Sequence, residues 1–124
     1  LVGPVCQTTT LMARLPFRVF RAIAVSGSSM SPTYNDGDWL IFRSLRRASA
    51  KQMQHLLGKV VVIERESYPG IHLIKRVIRA DANGIWVEGD NKEASTDSRN
   101  WGALTLDEIV GVVLLRYKRA RISA

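Results

Sequence analysis

Cysteine, histidine and long apolar runs are nearly absent from this chain of 124 residues. Cys6 is the only cysteine, so no intrachain disulfide can form and a cysteine-built metal cage is excluded. His55 and His72 are the only histidines, which argues against most histidine-rich catalytic metal sites. A membrane-spanning helix needs about 20 mostly apolar residues. The uncharged stretch 1–13 is broken by Gly3, Pro4, Gln7 and three threonines. It does not read as a signal peptide either, because no basic residue precedes it and Pro4 and the threonines interrupt any apolar centre. The chain starts at Leu1, so an anchor upstream of it stays open.

Hydrophobic residues make up 46% and charged residues 23%, enough to bury a core, and the length suits one domain. The net charge of +7 is unevenly spread. Residues 1–51 hold seven Lys/Arg against Asp36 and Asp38, whereas residues 52–115 hold seven basic and nine acidic side chains. The last nine residues add Arg116, Lys118, Arg119 and Arg121 with no acid. Two basic ends fit an anionic surface, nucleic acid or lipid headgroups, and fit simple solubilisation equally well.

Along the chain, residues 1–10 read as an irregular start. In Leu11–Val25, Arg14, Arg18 and Arg21 recur at helical spacing opposite Leu15, Val19 and Ala22. That pattern predicts an amphipathic helix on a membrane surface or, more simply, a helix or strand packed on the domain's own core. Strands are predicted over 39–42, 59–64, 71–80, 85–89 and 108–117 from their β-branched and alternating patterns. Residues 43–58 read as a loop or a short helix, the Asn83-Gly84 pair as a hairpin turn, and residues 90–102 as a polar loop. Five or more short strands without a strong long helix predict a mainly β, antiparallel domain.

Two features carry chemistry. Period-two alternation places Lys75 in a row with Ile71, Leu73 and Val77, an apolar face on which lysine is rare. Burial disfavours the ammonium form, and a neutral lysine can take a proton from a hydroxyl. The simpler alternative is a lysine whose stem packs while its head reaches water. Ser29 lies in a Gly- and Ser-rich turn followed by Met30, Ser31, Pro32 and Thr33, and a nucleophilic serine needs a rigid turn with a nearby backbone N–H for the oxyanion. A Ser-His-Asp triad competes poorly, since Ser29 is not in a G-x-S-x-G context and neither histidine has a special setting.

Three blocks in order then resemble the signal peptidase I superfamily of Ser/Lys peptidases: GSSMSPT at 27–33, GKVVVIE with LIKRV at 58–64 and 73–77, and GDNKEASTDSRNWG at 89–102. GDWLIF at 37–42 resembles the family's strand after the nucleophile. The likeness runs over about residues 23–117. It is greatest to compact members such as mitochondrial inner membrane proteases and nickel superoxide dismutase maturation proteases. The resemblance implies a compact antiparallel β domain of the signal peptidase/LexA-like type, without a large inserted subdomain, because only 12 residues separate Arg76 from Gly89. It divides the chain into a flexible or amphipathic segment 1–22, a peptidase domain 23–117 and a basic tail 118–124.

The same resemblance implies Ser29 as nucleophile and Lys75 as general base, Ser95 orienting Lys75, and Asp97 with Arg99 as an ion pair holding their loop. The Ser29 backbone N–H is the implied oxyanion donor. The position of a second donor in some members is Gly27 here. Met30, Ile23 and Val25 stand as candidate substrate-binding residues. The implied activity is removal of an N-terminal signal or propeptide from a protein bound as an extended strand, with no cofactor and no metal. The location stays open between the cytoplasm and a peripheral or anchored place at a membrane, whose anionic surface the basic ends would suit. A self-cleaving DNA-binding regulator of the LexA type is the alternative, opposed by the 28 residues before Ser29, too few for a helix-turn-helix domain, and by the lack of any other nucleic-acid motif.

Overall fold

The computed structural model describes residues 13–14, 20–45 and 50–120. Its strands are β1 (Ala13–Arg14), β2 (Phe20–Ala24), β3 (Trp39–Ser44), β4 (Val60–Glu64), β5 (His72–Asp81), β6 (Gly84–Glu88) and β7 (Ile109–Lys118). Two short helices, α1 (Ala50–His55) and α2 (Ser98–Trp101), lie between them. The described strands form one seven-stranded sheet in the order β1-β2-β3-β7-β4-β5-β6, every pairing antiparallel. The mainly β, antiparallel expectation holds, and no large subdomain separates β5 from β6.

This sheet buries both of its faces. Ile23, Leu40, Phe42, Val60, Val62, Ile74 and Val113 meet in one core, and Val61, Ile63, Val77, Ile85, Val87, Ile109 and Val112 in another. Alternate residues of β4 serve opposite cores, so Val60–Ile63 reads as an unbroken apolar run, as expected for a strand covered on both sides. β5 divides in the same way: Ile74 enters the first core, while Leu73 and Val77 join the second.

Phe20–Ala24 is a strand, not part of an amphipathic helix, and the reason is its burial. Ala22, Ile23 and Ala24 are all buried, so apolar side chains are used on both faces of the segment, which a one-sided helix would not require. The sheet thus begins before residue 23. The rest of the reading for residues 1–12 and 15–19, including Arg18, and the tail residues 121–124 lie outside the described residues. The segment 43–58 does contain a short helix, and the polar loop 90–102 contains a 3-10 turn, Lys92–Ala94, as well as α2. The hairpin loop is centred on Ala82 and Asn83, with Asp81 paired to Gly84 and its Oδ1 accepting the Asn83 N–H at 2.8 Å.

β3 and β7 approach closely at Gly111, where a Cβ would lie 2.5 Å from Phe42 Cδ2 and 2.6 Å from the Arg43 carbonyl oxygen. Neither atom can retreat, since Phe42 is fully buried and Arg43 lies within β3. Gly111→Ala should therefore lower stability by about 1–3 kcal/mol, the ordinary cost of overpacking. Ile78→Ala, at a side chain 44% exposed, should stay within about 0.5 kcal/mol. Urea titration of both variants checks the pair.

Candidate active site

Ser29 follows β2 in a turn that is fastened on several sides. Met30 is 1% exposed in the first core, so the residue after Ser29 anchors the turn. The loop after β6 holds it from above: Asn91 N donates to Ser29 O at 2.9 Å and Asn91 Nδ2 to Ser28 O at 3.0 Å. Ser31 N also donates to Ser28 O, at 3.1 Å. In a trans peptide the N–H points opposite to the preceding carbonyl. Fixing the Ser28 carbonyl toward Asn91 therefore fixes the Ser29 N–H to point away from Asn91. The Gly27 N–H is already used, donating to Asp36 Oδ1 at 2.8 Å.

Lys75 comes from β5, opposite Val61 on the face that carries Val77. It is 2% exposed, so its head does not reach water beside a packed stem. Instead its Nζ donates to Ser95 Oγ at 3.1 Å. Ser29 and Lys75 line one cleft of about 380 Å³. A second, much smaller cavity of about 10 Å³ lies between Ser29, Val25, Met30, His72 and Ile74. Ile23 is completely buried in the first core.

The Ser95 hydroxyl in turn donates a hydrogen bond to Asp97 Oδ2 at 2.6 Å. Asp97 is completely buried and N-caps α2. Its carboxylate also accepts from Gly89 N at 2.9 Å, from Arg99 N at 3.1 Å, and from Arg99 Nε and Nη2 at 2.9 and 3.1 Å. Burial pushes the Asp97 carboxyl up, but the Arg99 guanidinium, the Ser95 hydroxyl and the Gly89 and Arg99 amides outweigh it and hold the group far below the usual carboxylate range. Gly89 has to be glycine for lack of room: a Cβ there would sit 2.6 Å from Ser29 O and run into Ser95. Of the pairs expected from the sequence, Asp97 and Arg99 are directly bonded, and Ser29 and Lys75 line one cleft.

A second carboxylate was not foreseen as part of the site. Asp90 accepts from Arg76 Nε and Nη2, both at 2.8 Å, and from Thr33 Oγ1 at 2.6 Å. Its amide donates to Met30 Sδ at 3.4 Å. Arg76 is the residue after Lys75, Thr33 closes the Ser29 turn, and Asp90 opens the Ser95 loop, so one side chain ties all three segments together. The Arg76 guanidinium holds the Asp90 carboxyl below its ordinary value, against the opposing effect of burial. The sequence signal was available, since Thr33, Arg76 and Asp90 each stand inside a motif block.

The signal peptidase, peptidase S26 family matches residues 4–81 and 79–118. Mitochondrial inner membrane protease subunit 1 of Xenopus tropicalis is 28% identical, over 76% of this chain and 66% of its own length. The chain thus spans just under two thirds of that relative. The protein of the same name from Schizosaccharomyces pombe is 28% identical over 90% of this chain and 82% of its own. Mitochondrial ATP-independent inner membrane protease subunit 1a of Arabidopsis thaliana is 30% identical over 74% of this chain and 67% of its own. The matched spans take in the serine turn, the buried lysine and the loop that Asp97 holds, and the chain belongs to the signal peptidase, peptidase S26 family.

Proposed function

We propose that this chain is a serine endopeptidase with a Ser29/Lys75 dyad that removes an N-terminal signal or propeptide from a protein substrate. The observation that carries the reading is a lysine 2% exposed whose nitrogen is hydrogen-bonded in the cleft that Ser29 also lines. Lys75 Nζ takes the Ser29 hydroxyl proton as Oγ attacks the scissile carbonyl carbon. The Ser29 N–H donates to the oxyanion, and Lys75 returns the proton to the leaving amine. Lys75 then takes a proton from water as the water attacks the ester carbonyl carbon, and returns that proton to Ser29 Oγ as the ester C–O bond breaks. Ser95 supports this because its own hydrogen is committed to Asp97, so it receives an N–H from Lys75 and does not consume the amine lone pair. The substrate lies extended beside the strands flanking Ser29, with Val25 and Met30 bounding the small cavity.

The relatives named as inner membrane proteases support work at a membrane, and the basic ends support an anionic one. Among the described residues no helix is long and apolar enough to cross a bilayer. Exposed Lys118 and Arg119 follow Leu115 and Tyr117, which are 50% and 51% exposed, a combination suited to lipid headgroups. Binding to anionic vesicles should weaken between low and physiological salt and weaken further in Lys118→Ser/Arg119→Ser. Equal binding to neutral vesicles in a sedimentation assay contradicts this account.

Ser29→Ala should abolish peptide cleavage with the fold intact, and activity should rise from acid to mildly alkaline pH as Lys75 loses its proton. Survival of near-normal cleavage in a mass-detected assay, or a maximum near pH 5, would sink the dyad. Asp97→Asn tests the support of Lys75. The folded Asp97 carboxyl lies below its unfolded value, so its contribution is complete above about pH 4–5 and is lost as pH falls further. Urea midpoints measured from pH 7 to pH 3 should decline less steeply in the variant, from a lower starting stability, and its kcat should drop about 10–100-fold, less than the roughly 100–10,000-fold that a positioned acid–base group itself contributes.

A further inference from the structure

Ser29 stands between two cavities of very unequal size. The small one, about 10 Å³, has room for little more than a water-sized group. The large one, about 380 Å³, lies within the range of small-ligand pockets. Its polar rim includes Ser29, Lys75 and Thr96, and its apolar wall is made by Leu73, Ala94 and Trp101. No acidic side chain lines it.

The wall is built to stay in place. Trp101 ends α2, where its N–H donates to Asp97 O at 3.0 Å, and its half-buried ring packs on the second core. The Arg65 guanidinium lies 4.4 Å from the indole centroid, and Tyr68 stands on the same guanidinium at 5.6 Å. A stacked cation and a packed edge fix the indole while part of it is left to the cleft. Leu73 is held by its place in β5, two residues before Lys75, and Ala94 is an exposed residue in the 3-10 turn just before Ser95.

We infer that Trp101, with Leu73 and Ala94, forms a subsite for one large apolar or aromatic side chain of the substrate, next to the scissile bond on the Lys75 side of Ser29. This rests on Ser29 being the nucleophile and adds a substrate class to that reading: a protein whose cleavage site joins a small residue to a bulky apolar one. The smallness of Ala94 leaves the cleft open, and the indole supplies a flat apolar surface for the incoming side chain.

The test uses the Ser29→Ala protein, so that binding is read without turnover. Calorimetric titration with three peptides differing only at the central pair, Ala-Phe, Phe-Ala and Ala-Ala, measures the preference. One Phe-containing order should bind about tenfold more tightly than Ala-Ala. Ala94→Phe, which fills the cleft from an exposed position, should erase that preference, as should Trp101→Ala, while Trp101→Phe should keep most of it. Equal affinity for the three peptides, including none measurable, overturns the subsite, as does a preference that survives both Ala94→Phe and Trp101→Ala. Cleavage of the same peptides by the protein that retains Ser29 is followed in parallel. Selective binding with no cleavage would count against the dyad and leave the subsite supported.

Discussion

A buried amine governs the arrangement around Lys75. Its nitrogen is taken from water on a face shared with Leu73 and Val77, so it needs a polar partner. A carboxylate in direct contact would favour the ammonium form. Here Lys75 Nζ donates to the Ser95 hydroxyl, with the Asp97 carboxylate one hydrogen bond further on. Asp97 is itself matched by Arg99, so much of its charge is balanced locally and not by the lysine. Ser95 thus stands between the amine and the anion, hydrogen-bonded to both.

The requirement spreads outward from there. A completely buried carboxylate is tolerable only with its acceptor positions filled, and the Gly89 amide, the Ser95 hydroxyl and the backbone and side chain of Arg99 fill those of Asp97. To donate from its amide, Gly89 has to approach so closely that any side chain would strike Ser95 or the Ser29 carbonyl. The next residue, Asp90, then reaches Arg76 and Thr33. Three segments distant in sequence are set against one another by two adjacent loop positions. A shift in either one moves Ser29, Lys75 and Ser95 together.

Much of this was readable in advance, for identifiable reasons. β4 and β5 follow from β-branched runs, and Lys75 was conspicuous because it broke a period-two apolar row. Ser95, Asp97 and Arg99 came from the family resemblance, since a polar loop has no periodicity from which side-chain pairing could be derived. β2 was ambiguous because Ala22, Ile23 and Ala24 are buried on both faces, so neither a two- nor a 3.6-residue rhythm stands out. Helix α2 is only four residues long and owes its existence to the Asp97 cap and to Ser98, whose hydroxyl accepts the Val87 N–H at 2.9 Å. Such tertiary support leaves no propensity signal. The Asp90 clamp has no propensity signal either: its members each stand in a motif block, but as polar residues their meaning depends on their being brought together.

Alternation along β5 also decides what lies on each side of Ser29. Leu73 and Lys75 line the large cleft, whereas His72 and Ile74 line the small cavity. Burial pushes the His72 imidazole below its ordinary value, against the raising influence of Glu64, 3.2 Å away, so the small cavity is bounded by Val25, Met30 and Ile74, by Ser26 and Ser29, and by an imidazole biased toward neutrality. Both cavities are thus set by successive residues of one strand. A slip of one residue would exchange the two sets and carry the lysine into the opposite core. The register is secured where β5 passes Lys75: Val61 lies opposite it, and Arg76 bonds both Asp90 and the Gly58 carbonyl, the latter at 2.8 Å. The arginine beside the candidate base therefore holds the phase of the strand as well as the loop above it, which couples the position of the amine to the shape of the cleft beside it.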